Sequence, residues 1–450
     1  MSTEAIRRRV LEGNVRKSLL VLATPILINQ IVQVLYNLVD TFWLGRLGRA
    51  AVSAPAVAWP VMMTAMLFAS GFTAAGTALI SQLVGARRYE EVDTVLGQLI
   101  LVEVLVGTVL GIAGYFLAVP LFRLLHVPYD VLPLSSSYLQ VLSLVFPFVS
   151  AGLAMSAAFR ALGDTKTPTI VGVTTLILNA VLDPLLIFGW AGLPKLGVVG
   201  AALSTSVSSI LYAMTLMSLF LRGYRGIRLS TLSFAPRRAI LYRVLRIGTP
   251  SALSNALTGL SFAVVMAIVA SFGTVATAAY GVGMRISNVI SGLVFGISQA
   301  AGVIVGQSVG ARLVNRARRA LLETIRANIL ITAVLSVLIF LFAPHIVAMF
   351  ISDPVVIAVG ALFLRIFLPT LPLVSITVPV ILALRAAGKT HLSALLGIVQ
   401  LWVIRIPLAY LFGAALGIVG VWWGLSLTNV ISAAIAAYFL LNTKWLRPIV

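Results

Sequence analysis

The sequence predicts an all-α polytopic membrane protein with twelve transmembrane helices, arranged as two six-helix bundles related by pseudo-two-fold symmetry about the membrane normal. Three observations support this fold class. Hydrophobic residues make up 60% of the 450 residues and charged residues only 10%, whereas soluble domains have about 45–50% and about 25%. Twelve apolar segments are long enough to cross a bilayer, and short motifs recur at a constant spacing. The composition excludes an ordinary soluble enzyme and a disordered chain.

The twelve apolar segments are predicted to be helices, because backbone groups in lipid must form their hydrogen bonds internally. Crossing the hydrocarbon takes about 20 apolar residues, and each segment reaches that length. The first is too long for a signal-peptide core of about 7–15 residues, so we expect it to be retained. The spans cover approximately residues 19–44, 52–84, 94–119, 132–159, 168–190, 197–221, 248–271, 277–307, 321–342, 355–384, 391–413 and 416–440.

The basic residues predict the orientation. Lys and Arg number 32 against 12 Asp and Glu, which gives a formal net charge of +20. In a soluble protein this excess would suggest nucleic-acid binding. Here 25 of the 32 lie at the termini, in the loops after even-numbered spans or, for Arg326, at the start of the ninth span, and four lie in the opposite loops. This asymmetry predicts cytoplasmic termini and no nucleic-acid partner. With no cysteine present, disulfides and thiolate metal sites are excluded.

The two halves of the chain share three motifs at a spacing of 225 residues. The motifs begin at Gln82 and Gln307, at Arg160 and Arg385, and at Thr24 and Thr249. Six spans per copy is an even number, so the copies are parallel repeats with substrate expected near their interface. The predicted units are a cytoplasmic N-terminal segment (1–18), an N-lobe (19–221), a basic cytoplasmic linker (222–247), a C-lobe (248–440) and a cytoplasmic C-terminal tail (441–450).

An aspartate in the first predicted span has polar neighbours on one helical face. Gln33, Tyr36, Asn37 and Asp40 follow the i, i+3, i+4, i+7 spacing, and the equivalent positions of the second half contain no acid. A carboxylate inside a bilayer is costly and usually faces a cavity or a partner. Asp40 is therefore a candidate cation-binding residue. The alternative is that it lies in the headgroup zone near the outer edge.

The fifth predicted span contains a second candidate, Asp183. Asn179 lies one turn before it, and Pro184 leaves the carbonyl of Ala180 without its helical hydrogen bond. The pattern indicates a cation site beside a helix kink, with a purely structural cap as the alternative. Spans of the second half contain arginines instead, and we hypothesise that some of them pair with first-half acids in one conformation. These are Arg285, Arg365 and Arg405.

With these motifs the sequence resembles the multidrug and toxic compound extrusion (MATE) transporter family over nearly its whole length, and most of all its prokaryotic DinF-like branch. The resemblance implies that Asp40, Asp183 and Asn179 form the cation-coupling site. It implies hinges at Pro25 and Pro184. It also implies a cavity for cationic amphipathic substrates, for which the expected lining residues are Gln33, Tyr36, Asn37, Tyr138, Ser156 and Asn179.

The sequence therefore predicts a secondary active multidrug efflux antiporter of the cell membrane, working by alternating access, and no enzyme. The expected coupling ion is a proton, with sodium at Asp40, Asp183 and Asn179 as the alternative, and no cofactor or other metal is expected. The expected partners are the lipid bilayer and cationic amphipathic small molecules, and we expect a monomer. ATP-driven transport is disfavoured, because the phosphate-loop-like Gly388-Lys389-Thr390 lacks its first glycine. The alternative function is a flippase for lipid-linked oligosaccharides, which shares this architecture.

Overall fold

The computed structural model describes residues 3–442 and 445–450, and only the backbone of residue 49. Residues 1, 2, 443 and 444 of the predicted terminal segments lie outside the described part. All regular elements of the described chain are helices. The first half contains α1 (Thr3–Glu12), α2 (Val15–Gly45), α3 (Arg49–Gly85), α4 (Val92–Leu124), α5 (Leu132–Leu144), α6 (Phe146–Ala161), α7 (Lys166–Phe188) and α8 (Val198–Leu221).

The second half follows after a hydrophilic connection. Its helices are α9 (Arg238–Ala270), α10 (Thr274–Gly310), α11 (Val314–Leu341), α12 (Ala343–Ala348), α13 (Pro354–Phe367), α14 (Leu371–Ala386), α15 (Thr390–Ile398) and α16 (Ile406–Leu441). A π-helical turn, Val399–Arg405, joins α15 to α16.

Twelve membrane crossings follow from the lengths of the described helices. Ten helical runs are long and apolar enough to cross a membrane, and α5 with α6 forms a further span bent by 53°. The last run, Thr390–Leu441, has 52 residues, about 78 Å at about 1.5 Å per residue, which is far too long for one crossing. Gly417 breaks it with φ 64° and ψ −151°, a conformation that glycine adopts most readily. This run therefore makes two crossings.

The helix boundaries depart from the hydropathy prediction where a helix continues outside its apolar part or meets a proline. α9 begins at Arg238, inside the predicted linker, and α1 forms within the predicted N-terminal segment. The fourth and tenth predicted spans are each divided, at Val145 before Pro147 and at the 3-10 turn Leu368–Thr370. Proline cannot donate the helical hydrogen bond, so a bend occurs where hydropathy alone shows a continuous segment.

The helix that carries Asp40 packs against both halves of the molecule. Near its start, α2 contributes Leu19, Leu22 and Ile26 to an apolar cluster with α10, α11 and α14 of the second half. Near its end, Leu44 belongs to a cluster with helices of the first half. Pro25 lies where the first cluster ends, so a bend there would change how the second part of α2 meets the first half.

The two halves are joined at the face that carries the chain termini, which we call the terminal face. Gln82 Nε2 donates to the carbonyl of Ala386 over 2.9 Å, and Gln307 Nε2 donates to the carbonyl of Ala161 over 2.9 Å. Both glutamines are fully buried, and the two hydrogen bonds are related by the 225-residue repeat. The C-terminal residues add a contact, because the Ile449 amide donates to Gln82 Oε1 over 2.8 Å.

The N-terminal helix α1 is docked on the terminal face. Arg7 is buried and donates to the carbonyls of Val84 and Gly85 over 3.1 and 3.0 Å. Glu4 accepts a hydrogen bond from the Tyr89 hydroxyl. Apolar residues of α1 join the same cluster as the start of α2. The predicted N-terminal segment is therefore a docked helix, held through both charge and apolar contacts.

Glu4→Gln should weaken the docking of α1 on the terminal face. The hydrogen bond from Tyr89, helped by Arg7 and Arg87 and opposed by burial, lowers the pKa of Glu4 below its ordinary value of 4.5. The ionised form therefore favours docking above pH 4.5, and this contribution is lost as the pH falls through the lowered pKa. At neutral pH we expect hydrogen-exchange protection of the α1 amides to fall about two- to fivefold in the variant. Unchanged protection would contradict this; Glu12→Gln, on the exposed side of α1, is the control.

Candidate cation-coupling site

The two predicted carboxylates meet where α2, α7 and α8 pack together. Asp183 lies on α7 and is fully buried at 0% exposure. Asn179, one turn earlier on the same face, is 2% exposed. Pro184 lies within α7 but has no amide N–H, so the helix lacks one backbone hydrogen bond beside Asp183. The first half thus contains a cluster of buried polar side chains among apolar spans.

Asp183 is surrounded by hydrogen-bond donors. The Ser204 hydroxyl of α8 donates to Asp183 Oδ1. The Asn179 amide satisfies its neighbours when its nitrogen faces Asp183, and it then donates to Oδ1 and Oδ2 over 3.1 and 3.2 Å. In that orientation the Asn179 oxygen accepts from the Thr205 amide over 3.3 Å. These donors stabilise the ionised form of Asp183, because hydrogen bonds to a charged group are stronger than those to a neutral one.

Two tyrosines lie at the edge of the same polar cluster. The Tyr36 hydroxyl lies 3.2 Å from Thr205 Oγ1 and 3.2 Å from the Asn179 amide. Tyr138 on α5 is 8% exposed and close enough to interact electrostatically with Tyr36 and with both carboxylates. The structure therefore brings three predicted residues, Tyr36, Tyr138 and Asn179, around Asp183 from three separate helices.

Asp40 has a different environment from Asp183. It is partly exposed, yet its Oδ1 is buried and has no hydrogen-bond partner among the described residues. It lies within electrostatic range of Asp183. An unsatisfied carboxylate oxygen beside another carboxylate is unfavourable when both are charged. The pair can therefore relieve this repulsion by binding a proton or a metal cation.

Three further predicted cavity residues form no hydrogen bond to Asp40 or Asp183 in the described part of the chain. Gln33 and Asn37 are exposed, and Gln33 Nε2 donates to Asn37 Oδ1 over 3.5 Å. Ser156 on α6 is bound by the side chain of Arg160. Ser156 lies about 8 Å from the terminal-face end of its helix and Asp183 about 25 Å, at about 1.5 Å per residue. The structure thus places Ser156 near the terminal face, far below the two carboxylates.

Ser204 and Thr205 contact the site but were not predicted from the sequence. Both lie on α8 in the sequence Ser204-Thr205-Ser206, and a run of hydroxyl residues within an apolar span was the available signal. Such residues usually bond to the carbonyl of the preceding turn, as Ser206 does with Ala202 over 2.7 Å. Only the packing of α8 on α7 distinguishes the residue that bonds to Asp183 from those that bond to their own helix.

The intramembrane arginines do not contact the carboxylates in this conformation. Among the described residues, no ion pair joins Arg285, Arg365 or Arg405 to an acid. Arg285 and Arg365 are exposed, and Arg405 is partly exposed and bonds to Asn429 over 3.3 Å. The pairing hypothesis therefore finds no contact here and would need another conformation.

Both predicted hinge prolines lie inside continuous helices. Pro25 is buried in α2, and its carbonyl accepts from Thr169 Oγ1 of α7 over 3.1 Å. Pro184 is buried in α7 immediately after Asp183. The Thr169 contact links α2 to the helix that carries Asp183, so a bend of α2 at Pro25 would also displace α7.

Comparison with known proteins agrees with this architecture. The MatE family model matches residues 25–185 and again residues 250–411, one match in each half. The chain is 28% identical over 422 residues to Probable multidrug resistance protein YoeA of Bacillus subtilis, covering 91% of this chain and 90% of that protein. It is also 27% identical to a protein named FAD transporter of Shewanella oneidensis, with 96% of each chain covered.

A solved structure extends the likeness to three dimensions. A structure described as the outward-facing conformation of a multidrug resistance MATE family transporter superposes with a TM-score of 0.90 at 25% identity, covering 97% of this chain and 98% of that one. The family model matches more than half of the chain and does so once in each repeat. The chain therefore belongs to the MatE family of multidrug efflux transporters and is a multi-pass membrane transporter, not an enzyme.

Proposed function

We propose that the protein is a secondary active antiporter that exports cationic amphipathic compounds in exchange for protons. The observation that carries this proposal is the pair of carboxylates, Asp40 and Asp183, held within electrostatic range inside the spans of one half. The second half has no acid at either equivalent position. Carboxylates at this depth in the membrane are unfavourable in free energy, and a role in cation exchange would explain why they are present.

The arrangement favours a proton over sodium. Donors from Ser204 and Asn179 already occupy the oxygens of Asp183, whereas a sodium ion needs oxygen atoms that point lone pairs at it. Asp40 Oδ1 has no donor among the described residues, so it is our choice for the first proton acceptor. Sodium at Asp40, Asp183 and Asn179 is the alternative, and it would require the Asn179 amide to turn its oxygen toward the carboxylates.

The transport cycle that we propose uses the charge of this pair as the coupling element. Protonation of Asp40 from outside reduces the attraction for a cationic substrate and releases it. With Asp40 neutral, the repulsion between the two side chains is gone, α2 bends at Pro25, and the halves rearrange to open the terminal face. Loss of the proton to the cytoplasm restores the negative charge and the affinity for a new substrate. Such coupling needs different affinities in the two states, which the charge change supplies.

We further propose that the N-lobe (19–221) and C-lobe (248–440) are the moving units, and that the protein acts as a monomer in the cytoplasmic membrane. Both termini would lie in the cytoplasm, as the 25 basic residues on that side indicate. The terminal face is then the cytoplasmic face. Its paired hydrogen bonds from Gln82 and Gln307 would have to break when substrate enters.

The test is transport by the purified protein in proteoliposomes. We expect a cationic dye to move against its own gradient when a pH gradient alone is imposed, and not when a sodium gradient alone is imposed. Transport driven by a sodium gradient alone would show that sodium, and not the proton, is the coupling ion. Dye movement that never exceeds equilibration under either gradient would overturn antiport altogether.

The flippase alternative has less support. The Bacillus subtilis relative, of which 90% is covered, carries a multidrug-resistance name, and the Shewanella oneidensis relative is named an FAD transporter. A flippase for lipid-linked pyrophosphate would need several cations converging on one cavity. Arg285 and Arg365 are exposed, and the described hydrogen bonds do not link either of them to the groups around Arg405.

A further inference from the structure

The proposed cycle uses none of the three intramembrane arginines of the second half, and Arg405 is the least exposed of them. Arg405 ends the π-helical turn Val399–Arg405, two residues before Pro407 of α16. Such turns are rare and are frequently found at functional sites. In the first half, Asp183 stands directly before Pro184. Arg405 therefore lies beside the position that is equivalent to Asp183, with the opposite charge.

The guanidinium of Arg405 has unused hydrogen-bonding capacity. Nη2 donates to Asn429 Oδ1 over 3.3 Å, and Asn429 is fixed in turn by donating to Thr370 Oγ1 over 3.0 Å. Nε is buried and has no partner among the described residues. A guanidinium carries five N–H donors, so most of them are available. The side chain remains partly exposed and can be reached by a ligand.

Arg405 also lacks a counter-charge. After residue 247 the sequence contains only two acids, Glu323 and Asp353. Glu323 pairs with Arg16 over 2.7 Å and with Arg326 over 3.2 Å. Asp353 accepts from the amides at the start of α13. Both acids of this half are thus engaged elsewhere, and no described ion pair includes Arg405. An uncompensated charge within a span is unfavourable by several kcal/mol, so an anion from outside the chain would stabilise it.

Polar and aromatic groups complete a possible binding site around this charge. Tyr280 of α10 is 5% exposed and within electrostatic range of Arg405. Its ring stacks on Trp422 at 5.7 Å between centroids, which fixes its orientation. Asn429 is 1% exposed. The groups come from three parts of the fold, so the second half holds Arg405 in a built environment and not as a mobile surface side chain.

We propose that Arg405, with Asn429 and Tyr280, binds an anionic group of the transported molecule, a carboxylate or phosphate. The planar guanidinium matches the two oxygens of such a group. This inference rests on the proposed function and narrows its substrate class: molecules with a cationic group for the Asp40–Asp183 side and an anionic group for the Arg405 side would be held by both halves. Zwitterionic amphiphiles should then be better substrates than cations of the same size.

A matched pair of dyes tests this inference. A rhodamine with a free carboxylate and its methyl ester differ only in the anionic group. Fluorescence anisotropy with purified protein should show that Arg405→Gln weakens binding of the carboxylate dye about tenfold, as loss of about 1.4 kcal/mol would, and leaves the ester unchanged. Arg405→Lys should recover part of the loss, because it keeps the charge without the planar fork. Arg365→Gln, at an exposed span arginine over the Phe340 ring, is the control.

The possible outcomes separate this inference from the proposed function. Equal binding of the carboxylate dye to wild type and Arg405→Gln would overturn the anion site, even if ester export is normal. An equal loss for both dyes would overturn it in favour of a structural role or of pairing with a first-half acid. If phosphatidylglycerol binding alone is lost, the site belongs to lipid and the inference fails. Failure of gradient-driven export of the ester by wild type counts against the proposed antiport only.

Discussion

Asp183→Asn should reduce proton-driven efflux about tenfold or more, since the coupling between two ligands is typically about 1–3 kcal/mol. Asp183 is fully buried and receives hydrogen bonds from Ser204 and Asn179. Asparagine keeps the shape but removes the negative charge that differs between the loaded and unloaded states. The measurement is dye export from proteoliposomes under an imposed pH gradient. Full gradient-driven export by both Asp183→Asn and Asp40→Asn would end the coupling proposal.

The same two variants should differ in stability, which distinguishes their environments. In Asp183→Asn the donors on Ser204 and Asn179 lose a charged acceptor, and the new amide group faces the amide of Asn179. We therefore expect this variant to be destabilised by about 1–3 kcal/mol. Asp40→Asn removes a charge whose Oδ1 has no described partner, so we expect unchanged or slightly higher stability. Thermal unfolding in detergent gives both values. A lower melting temperature for Asp40→Asn than for Asp183→Asn would contradict this account of the site.

Asp130→Asn is the matched control for both variants. It makes the same chemical change at an exposed position in the loop between α4 and α5. It should export dye like the wild type and melt at the same temperature. If this control also loses gradient-driven export, the losses seen at Asp40 and Asp183 would reflect a general effect of charge removal and not of the site.

Gly85→Ala and Gly310→Ala should each open the terminal face. A Cβ at Gly85 would lie 2.0 Å from the carbonyl oxygen of Gln307, and one at Gly310 would lie 2.0 Å from the carbonyl oxygen of Gln82. The obstructing atoms are backbone, which cannot rotate away, so the helices must separate. Overpacking of this kind usually costs about 1–3 kcal/mol, which would shift the balance between conformations about five- to 150-fold.

The chain contains no cysteine, so one introduced thiol reports this change directly. Ser308 of α10 is fully buried near the contact, and its hydroxyl has no described partner, which makes Ser308→Cys a mild probe. A water-soluble maleimide should label it faster in the Gly85→Ala and Gly310→Ala backgrounds. Gly281→Ala, on the same helix with no neighbouring atom within 4 Å of the added Cβ, is the control. Equal labelling rates in all backgrounds would show that the halves do not separate.

The spans and the two intramembrane acids of the candidate site could be identified from the sequence, because each gives a strong local signal. Long apolar segments are required by the thickness of the bilayer, and acids within them are rare enough to count. Asp40 and Asp183 stood out because the repeat lacks them. Ser204 and Thr205 did not stand out, since hydroxyl residues are common in spans and most of them, such as Ser206, bond within their own helix. Ser156 lies near the terminal face and not beside the carboxylates, because its depth in the membrane follows from helix packing.

The sequence by itself determined the membrane-spanning class, the duplication and the scarcity of intramembrane acids, because these depend on composition and spacing along one chain. It also contained the repeated Gln-x-x-Gly-Ala-Arg motif without revealing its purpose. Only the tertiary structure decided that each Gln of this motif reaches the carbonyl of the other half, that α1 docks on the terminal face, and that Arg405 is left without a carboxylate. These features depend on segments that are distant in the sequence, more than 70 residues apart for the contacts of α1. The physical reason is that such pairings are selected by packing and by the need to satisfy buried polar groups, which no local pattern encodes.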